Sequence, residues 1–493
     1  MADLQGQSQE VGKSHGRTQG FGESARLTGY ALFLIGYLWF YIVVQVAILG
    51  GAEQPDDIYL VSLILSGLLC VAVFFFPSPF SDPLSPPRVL AVLFLLFFPV
   101  FSALYMYVPG LSKWYLQYFP STGFTRKIAD ANAHTVVALP LFLLGYVAGE
   151  IRERRTGRNV AVRGLTISRL GFCILVLLVS AGFAGMLAYA WSLGGINAII
   201  QQMQSILNRR EWREVGAGGL YYFGMLLLAT PSVLALYVIR ARKGALRVSF
   251  GAGLLIAAAA VLLVTQASRE KSIFPLVLFG TSLLLLYRSD PPKRRLQAGL
   301  LAGLAIFSVV LAFSIQSLFR WSDGSGSAVD LLDALSDFNR IDISIVMFSD
   351  YLGSASSNGL MFGLPLLSYP YQILVRLFEL DPMPNTSVLL YQFIFRGDVN
   401  AGYPGAPLVG ELYLNFGYAG YVLFVAFGYY FGRLHARLHI SKYEFWRTIF
   451  YSASMYFFMF KMCIYIGLSE SLLMMLLVYG QIYLMKVASR MRF

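Results

Sequence analysis

The chain has 493 residues, of which 57% are hydrophobic and 13% charged, with a formal net charge of +12. A soluble globular domain carries about 25% charged residues, so this composition, with a mean hydropathy of +0.64, excludes that class and marks a polytopic membrane protein. The basic excess does not imply nucleic acid, because the Lys and Arg residues sit between apolar runs rather than in one patch.

Residues 1–27 are polar, rich in Gly, Ser and Gln, and lack an apolar h-region, which reads as a cytoplasmic tail rather than a cleaved signal peptide. Apolar runs near the ~20 residues needed to cross a bilayer follow at 28–50, 58–76, 89–108, 133–150, 168–192, 219–240, 248–266, 272–288 and 297–317. Further runs lie at 406–432, 447–466 and 468–486, before a short cytoplasmic tail, 487–493. The expected fold is therefore all-α, with about twelve transmembrane helices, nine within 28–317 and three within 406–486. Cys70, Cys173 and Cys463 all fall inside apolar runs, which indicates neither a disulfide framework nor a thiolate metal site.

Basic residues recur in alternate loops: Arg152, Arg154, Arg155, Arg158 and Arg163; Arg240, Arg242, Lys243 and Arg247; Lys293, Arg294 and Arg295; Arg433, Arg437, Lys442 and Arg447. The positive-inside rule makes these loops cytoplasmic and, with an even span count, puts both termini on the same side. The opposite loop GAEQPDD has no basic residue. Three external loops remain: 109–132, 193–218 and the large 318–405.

The second of these carries INAIIQQMQSILNRREWREVGAGG, whose Ile and Met residues recur at helical spacing. It predicts an amphipathic external helix over 194–214 that brings Arg209, Arg210 and Arg213 to the headgroup plane. Such arginines bind lipid headgroups or a fixed anionic ligand, and the planar guanidinium fork suits phosphate oxygens. The short turn QASREKS holds Arg269, Glu270 and Lys271 between two spans, either as a salt-bridged turn or with Arg269 facing a cavity. In the large loop, Leu331, Leu332, Leu335, Phe338, Ile341 and Ile345 predict another amphipathic helix, with Arg340 and Asp342 off its apolar stripe. The loop ends in RGDVNAGYPGAP, too rich in Gly and Pro for regular structure.

The stretch GELYLNFGYAGYVLFVAFGYYFG, Gly410–Gly432, places Glu411 and Asn415 at the mouth of a membrane-length helix. Their i, i+4 spacing gives them one helix face, which Tyr418 continues. An ionisable residue at this depth marks a functional cavity or an ion pair that caps the helix. Gly428 and Gly432 form a small-xxx-small pair suited to helix packing. His435 and His439 have the spacing of a metal pair, but lie in the basic segment GRLHARLHISK with no nearby carboxylate and read as solvated. No Gly-rich phosphate loop, Asp-rich metal cluster or nucleophile elbow is present in the sequence.

This Glu-x-Tyr-x-Asn-Phe-Gly run opening a late transmembrane helix resembles the bacterial O-antigen polymerases, the Wzy-type repeat-unit polymerases. Many spans, an external arginine-bearing helix and a large external loop just before the run accompany the resemblance. It implies a metal-independent glycosyltransferase of the bacterial inner membrane that works without a cofactor. Such an enzyme moves a glycan from undecaprenyl pyrophosphate to the non-reducing-end hydroxyl of another lipid-linked unit at the outer, periplasmic face. Its implied partners are the lipid-linked oligosaccharide and membrane lipids, with no nucleic acid, and a chain-length regulator stays open.

Under that resemblance Arg210, Arg269 and Arg340 would stabilise the pyrophosphate leaving group, with Arg209, Arg213 and Lys271 binding it nearer the lipid surface. Glu411 is the first choice of base and Asp342 the second. Asn415, Tyr413 and Tyr418 would bind sugar hydroxyls or stack on rings. Glu411 as a mere ion-pair partner of an arginine remains open beside this. An O-antigen ligase would use the same donor; its usual external His has only His134 as a counterpart here. A lipid-linked oligosaccharide flippase would need basic residues deep within helices, and a non-enzymatic export scaffold also remains.

Overall fold

The structure is a computed structural model. It describes residues 37, 39, 56–75, 84–100, 102–104, 132, 135–156, 169–192, 194–195, 220, 222–241, 246–264, 269–288, 290–292, 294–304, 362–363, 367, 371, 378, 408–460 and 468–489. Among the described residues the regular structure is entirely helical. Where the expected apolar spans are described they are helical apart from turns at Phe75, Val137, Leu228, Ala229, Tyr287 and Arg288.

The helices are α1 (Asp56–Phe74), α2 (Pro86–Leu95), α3 (Ala138–Arg155), α4 (Arg169–Ser192), α5 (Thr230–Ala241), α6 (Leu246–Val264) and α7 (Arg269–Leu286). After the large loop come α8 (Leu408–Phe416), α9 (Val422–Ile440), α10 (Phe445–Met455) and α11 (Leu468–Ala488). Short irregular turns extend several of them. A π-turn, Leu96–Val100, continues α2 and contains Pro99, whose missing N–H suits a register that skips a helical bond. A 3-10 segment, Tyr222–Leu227, precedes α5, and another, Gly417–Tyr421, joins α8 to α9.

Among the described residues, four helical stretches are long and apolar enough to cross a membrane: Pro86–Leu104, Arg169–Ser192, Phe223–Ala241 and Leu408–Ile440. Shorter apolar helices lie at Tyr59–Phe74, Phe250–Leu263, Lys271–Leu286 and Leu472–Ala488. Leu296, Leu300 and Leu304 form an exposed stripe at helical spacing, and Leu177, Leu187 and Trp191 are exposed on α4. Apolar faces of this extent have no place in water, and together with the long apolar helices they make the chain a membrane protein.

The chain divides into two compact units, the first being Met1–Met106, Thr122–Arg158 and Phe416–Arg437. Within it α3 packs closely against α9, which glycines on both helices make possible. A Cβ on Gly145 or Gly149 would overlap backbone atoms of Val425 or Tyr429, and one on Gly428 or Gly432 would overlap the carbonyls of Phe142 or Tyr146. Only glycine lets two backbones approach this closely, where Cα–H to carbonyl contacts and dispersion replace the hydrophobic effect. The partners of Gly428 and Gly432 advance along α3 as the glycines advance along α9, so the two helices run parallel.

The second unit comprises Tyr107–Ser121, Asn159–Asn415 and Leu438–Phe493. Its apolar core gathers α4, α5, α6, α7, α10 and α11 around Phe274, Ile449, Tyr456 and Phe457. The Phe274 ring meets Tyr456 edge-on at 4.7 Å and Phe457 at 5.0 Å, favourable aromatic geometries. Pro275 interrupts α7, and the buried Ser232 hydroxyl donates to its carbonyl at 2.8 Å.

Candidate functional site

In α8 the residues Leu408, Val409, Gly410, Leu412 and Leu414 are buried, and so are Glu411 and Asn415 on the same face. Glu411 is 1% exposed and Asn415 not at all. A buried carboxylate loses several kcal/mol of hydration, about what a partner must restore, and Glu411 does make interactions of its own. It also stands in the first turn of α8, where the helix dipole favours negative charge.

Asn415 spends both ends of its amide on the chain. Its Nδ2 donates to the Glu411 carbonyl at 2.7 Å, and its Oδ1 accepts from the Gly363 N–H at 3.0 Å. The Asn415 backbone carbonyl accepts from the Phe362 N–H at 2.9 Å. Two successive N–H groups of the large loop thus converge on a single residue of α8. Both loop residues have left-handed backbone, φ 46° at Phe362 and 82° at Gly363. Glycine adopts this freely, whereas a phenylalanine there is strained.

The polar stripe does not run on to Tyr418. At Phe416 (φ −132°, ψ 3°) and Gly417 (φ 59°) the regular helix gives way to the 3-10 segment, in which Tyr418 is exposed and edge-on to Tyr421 at 6.1 Å. Over the expected span 406–432 the helical stretch is made of α8, the 3-10 segment Gly417–Tyr421 and the start of α9 in succession. Tyr413 is half-buried.

Arg269, Glu270 and Lys271 form the first turn of α7 rather than a loop, and the Lys271 side chain is buried and takes part in interactions. The side chains of Arg269 and Glu270 lie outside the described residues, as do Arg209, Arg210, Arg213, Arg340 and Asp342 entirely. Of the expected site residues, the structure brings Glu411 and Asn415 together. Among the described residues no three His, Cys, Asp or Glu side chains gather as a metal-ion site.

Within the first unit polar contacts join α3 to α9, and a separate pair, His439 and Tyr443, lies in the second. His435 is fully buried and its Nδ1 lies 2.7 Å from the Tyr146 hydroxyl, which corrects the expectation that it is solvated. His439 is half-buried beside the Tyr443 hydroxyl at 3.1 Å. Glu153 accepts from Arg433 Nε at 2.9 Å and from Arg437 Nε at 2.7 Å. Burial pushes the Glu153 carboxyl up, but the hydrogen bonds and charges of Arg437 and Arg433 together outweigh it and hold the group below its ordinary 4.5.

Sequence reasoning missed Phe362 and Gly363, whose partner is some fifty residues away and leaves no local signature. The signal for His435 was present: it follows Gly428 and Gly432 at i+7 and i+3, on the face that packs against α3. No protein-family model, no curated protein and no solved structure matches the chain.

Proposed function

We propose that this chain is a membrane-embedded glycosyltransferase of the repeat-unit polymerase type, extending a glycan carried on undecaprenyl pyrophosphate. The observation that carries the proposal is the buried Glu411 carboxylate in the opening turn of a helix that leads into a membrane-length segment. It stands in the run that resembles the Wzy-type polymerases.

In this reading the acceptor hydroxyl attacks the anomeric carbon of the donor glycan. The bond from that carbon to the pyrophosphate oxygen breaks, and the hydroxyl proton passes to Glu411. Arg210, Arg269 and Arg340 stabilise the charge that develops on the leaving pyrophosphate, with Arg209 and Arg213 holding the donor at the membrane surface, whereas the buried Lys271 is no surface ligand. Asp342 is the alternative base, and Tyr413 and Tyr418 contact sugar.

The same proposal includes about twelve spans in a bacterial inner membrane, cytoplasmic termini and an external large loop. Side-chain pairs within each unit support that sidedness, because they join chain segments to which the charge pattern gives one side. Glu153 pairs with Arg433 and Arg437 in the first unit. In the second, Arg240 pairs with Asp290, and Arg288 lies over the Tyr443 ring at 5.7 Å. The parallel run of α3 and α9 agrees as well, since both are even-numbered among the expected spans.

The test is a purified preparation given lipid-pyrophosphate-linked repeat units from the cells that carry the chain, with longer lipid-linked glycans as the readout. Wild type yields a ladder. Glu411→Gln loses at least about 100-fold in rate while folding and donor binding persist, the scale of a missing general base. Arg269→Ala also loses rate. Translocation of the lipid-linked unit in liposomes, without a ladder, would make the chain a flippase instead.

A further inference from the structure

Phe362 combines three properties that rarely coincide. It is a large apolar side chain, 75% exposed; its backbone is left-handed; and its N–H and that of its neighbour are fastened to one buried residue. Strained backbone persists only where the surroundings over-determine it, and it clusters at ligand sites. Here the surroundings are Asn415, whose amide orientation is itself fixed by the Glu411 carbonyl. Asn415 follows Glu411 by four residues, about 6 Å along the helix axis. The Phe362 backbone is therefore tied to α8 one helical turn from the Glu411 backbone.

We propose that Phe362 is an aromatic platform for a sugar ring of the lipid-linked glycan and that Asn415 is the positioning residue that holds it out. This rests on the glycosyltransferase reading of the Glu411 site. The face of a phenyl ring is electron-rich, and the axial C–H groups of a pyranose are weakly positive, so the two stack face to face. Stacking requires the ring at one height and one angle. Contact with lipid tails has no such requirement, since any apolar side chain in any conformation satisfies it. A strained, doubly anchored phenylalanine thus fits a sugar better than a bilayer. Asn415 then serves the glycan through the loop turn it holds, not by touching a hydroxyl.

The experiment measures binding of the isolated lipid-pyrophosphate-linked repeat unit to the full chain in nanodiscs, alongside amide exchange at Gly363. Phe362→Leu is expected to weaken binding about tenfold with Gly363 exchange unchanged, and Phe362→Tyr to restore most of the loss. Asn415→Leu is expected to weaken binding and accelerate Gly363 exchange, whereas Asn415→Asp, which keeps an acceptor oxygen, retains the slow exchange. Binding by Phe362→Leu equal to wild type overturns the platform. So does a Phe362→Trp probe, in a chain with its native tryptophans replaced, that is quenched by brominated lipid and unaffected by glycan; the partner is then the membrane. If no polymer ladder forms yet Phe362→Leu still weakens glycan binding, the polymerase reading falls and the platform stands.

Discussion

The Tyr146–His435 pair shows how a residue's meaning changes with the face it occupies. Beside four basic residues in the sequence, His435 looks like part of a solvated tail, yet its helix turns it onto the glycine face of α9 and buries it against Tyr146. Removing the hydroxyl with Tyr146→Phe leaves a buried imidazole nitrogen without that bond, which costs about 1–3 kcal/mol; thermal unfolding in detergent is expected to report the loss. Glu153 gives a pH signature. Its folded value is depressed below 4.5, so its contribution is fully present above that value and disappears as pH falls through the lower, folded one. Glu153→Gln is therefore expected to lower the melting temperature at pH 7, and the gap to wild type should close on acidification below 4.5. Arg433 and Arg437 remain partly solvated, which keeps the effect modest and salt-sensitive.

Most helices were legible as elements because apolar length is a local property, readable without knowing any partner. The break at Phe416–Gly417 was not, since the glycine that makes it lies in a run of apolar and aromatic residues that would serve a straight helix equally well. Glycines divide into two kinds once packing is known. Gly432→Ala would drive a methyl group into the Tyr146 carbonyl and force α3 and α9 apart, so a large drop in melting temperature is expected. Gly251→Ala in α6 meets nothing within 4 Å, and the better helix former is expected to stabilise by up to about 1 kcal/mol. The turn after α9 offers a comparable gain. Lys442 (φ 48°) and Tyr443 (φ 56°) adopt left-handed backbone while their N–H groups close the helix on His439 and Leu438, so Lys442→Gly relieves strain without removing a bond. A rise in melting temperature is the expected result. Tyr443 is held further by His439 and by the Arg288 guanidinium, and is a poor site for the same change.

At the scale of the whole chain, the sequence supplied the membrane class through composition, a sum over many residues, and its alternate basic loops are the ground of the proposed sidedness. The candidate site was legible only as Glu411 and Asn415, which are near neighbours; the Phe362–Gly363 turn meets them across a separation that pattern reading does not bridge. The proposed topology makes a definite labelling prediction. Single cysteines introduced at Arg155 and Lys442 are expected to react with an impermeant thiol reagent only from the cytoplasmic side, and one at Asn385 only from outside. Reaction of all three from one side would dismantle the span count.

The parallel contact between α3 and α9 also sets a timetable for biogenesis. Gly145 and Gly428 are some 280 residues apart in the chain, so at about 5–20 residues per second the ribosome needs roughly 15–60 s after making one face of this seam to make the other. Throughout that interval α3 presents a notched surface shaped for a helix that does not yet exist. A lipid chain, or a helix of the insertion machinery held loosely, would occupy the notch and then leave it, and a chain truncated before α9 would expose that surface permanently to the cell's quality control.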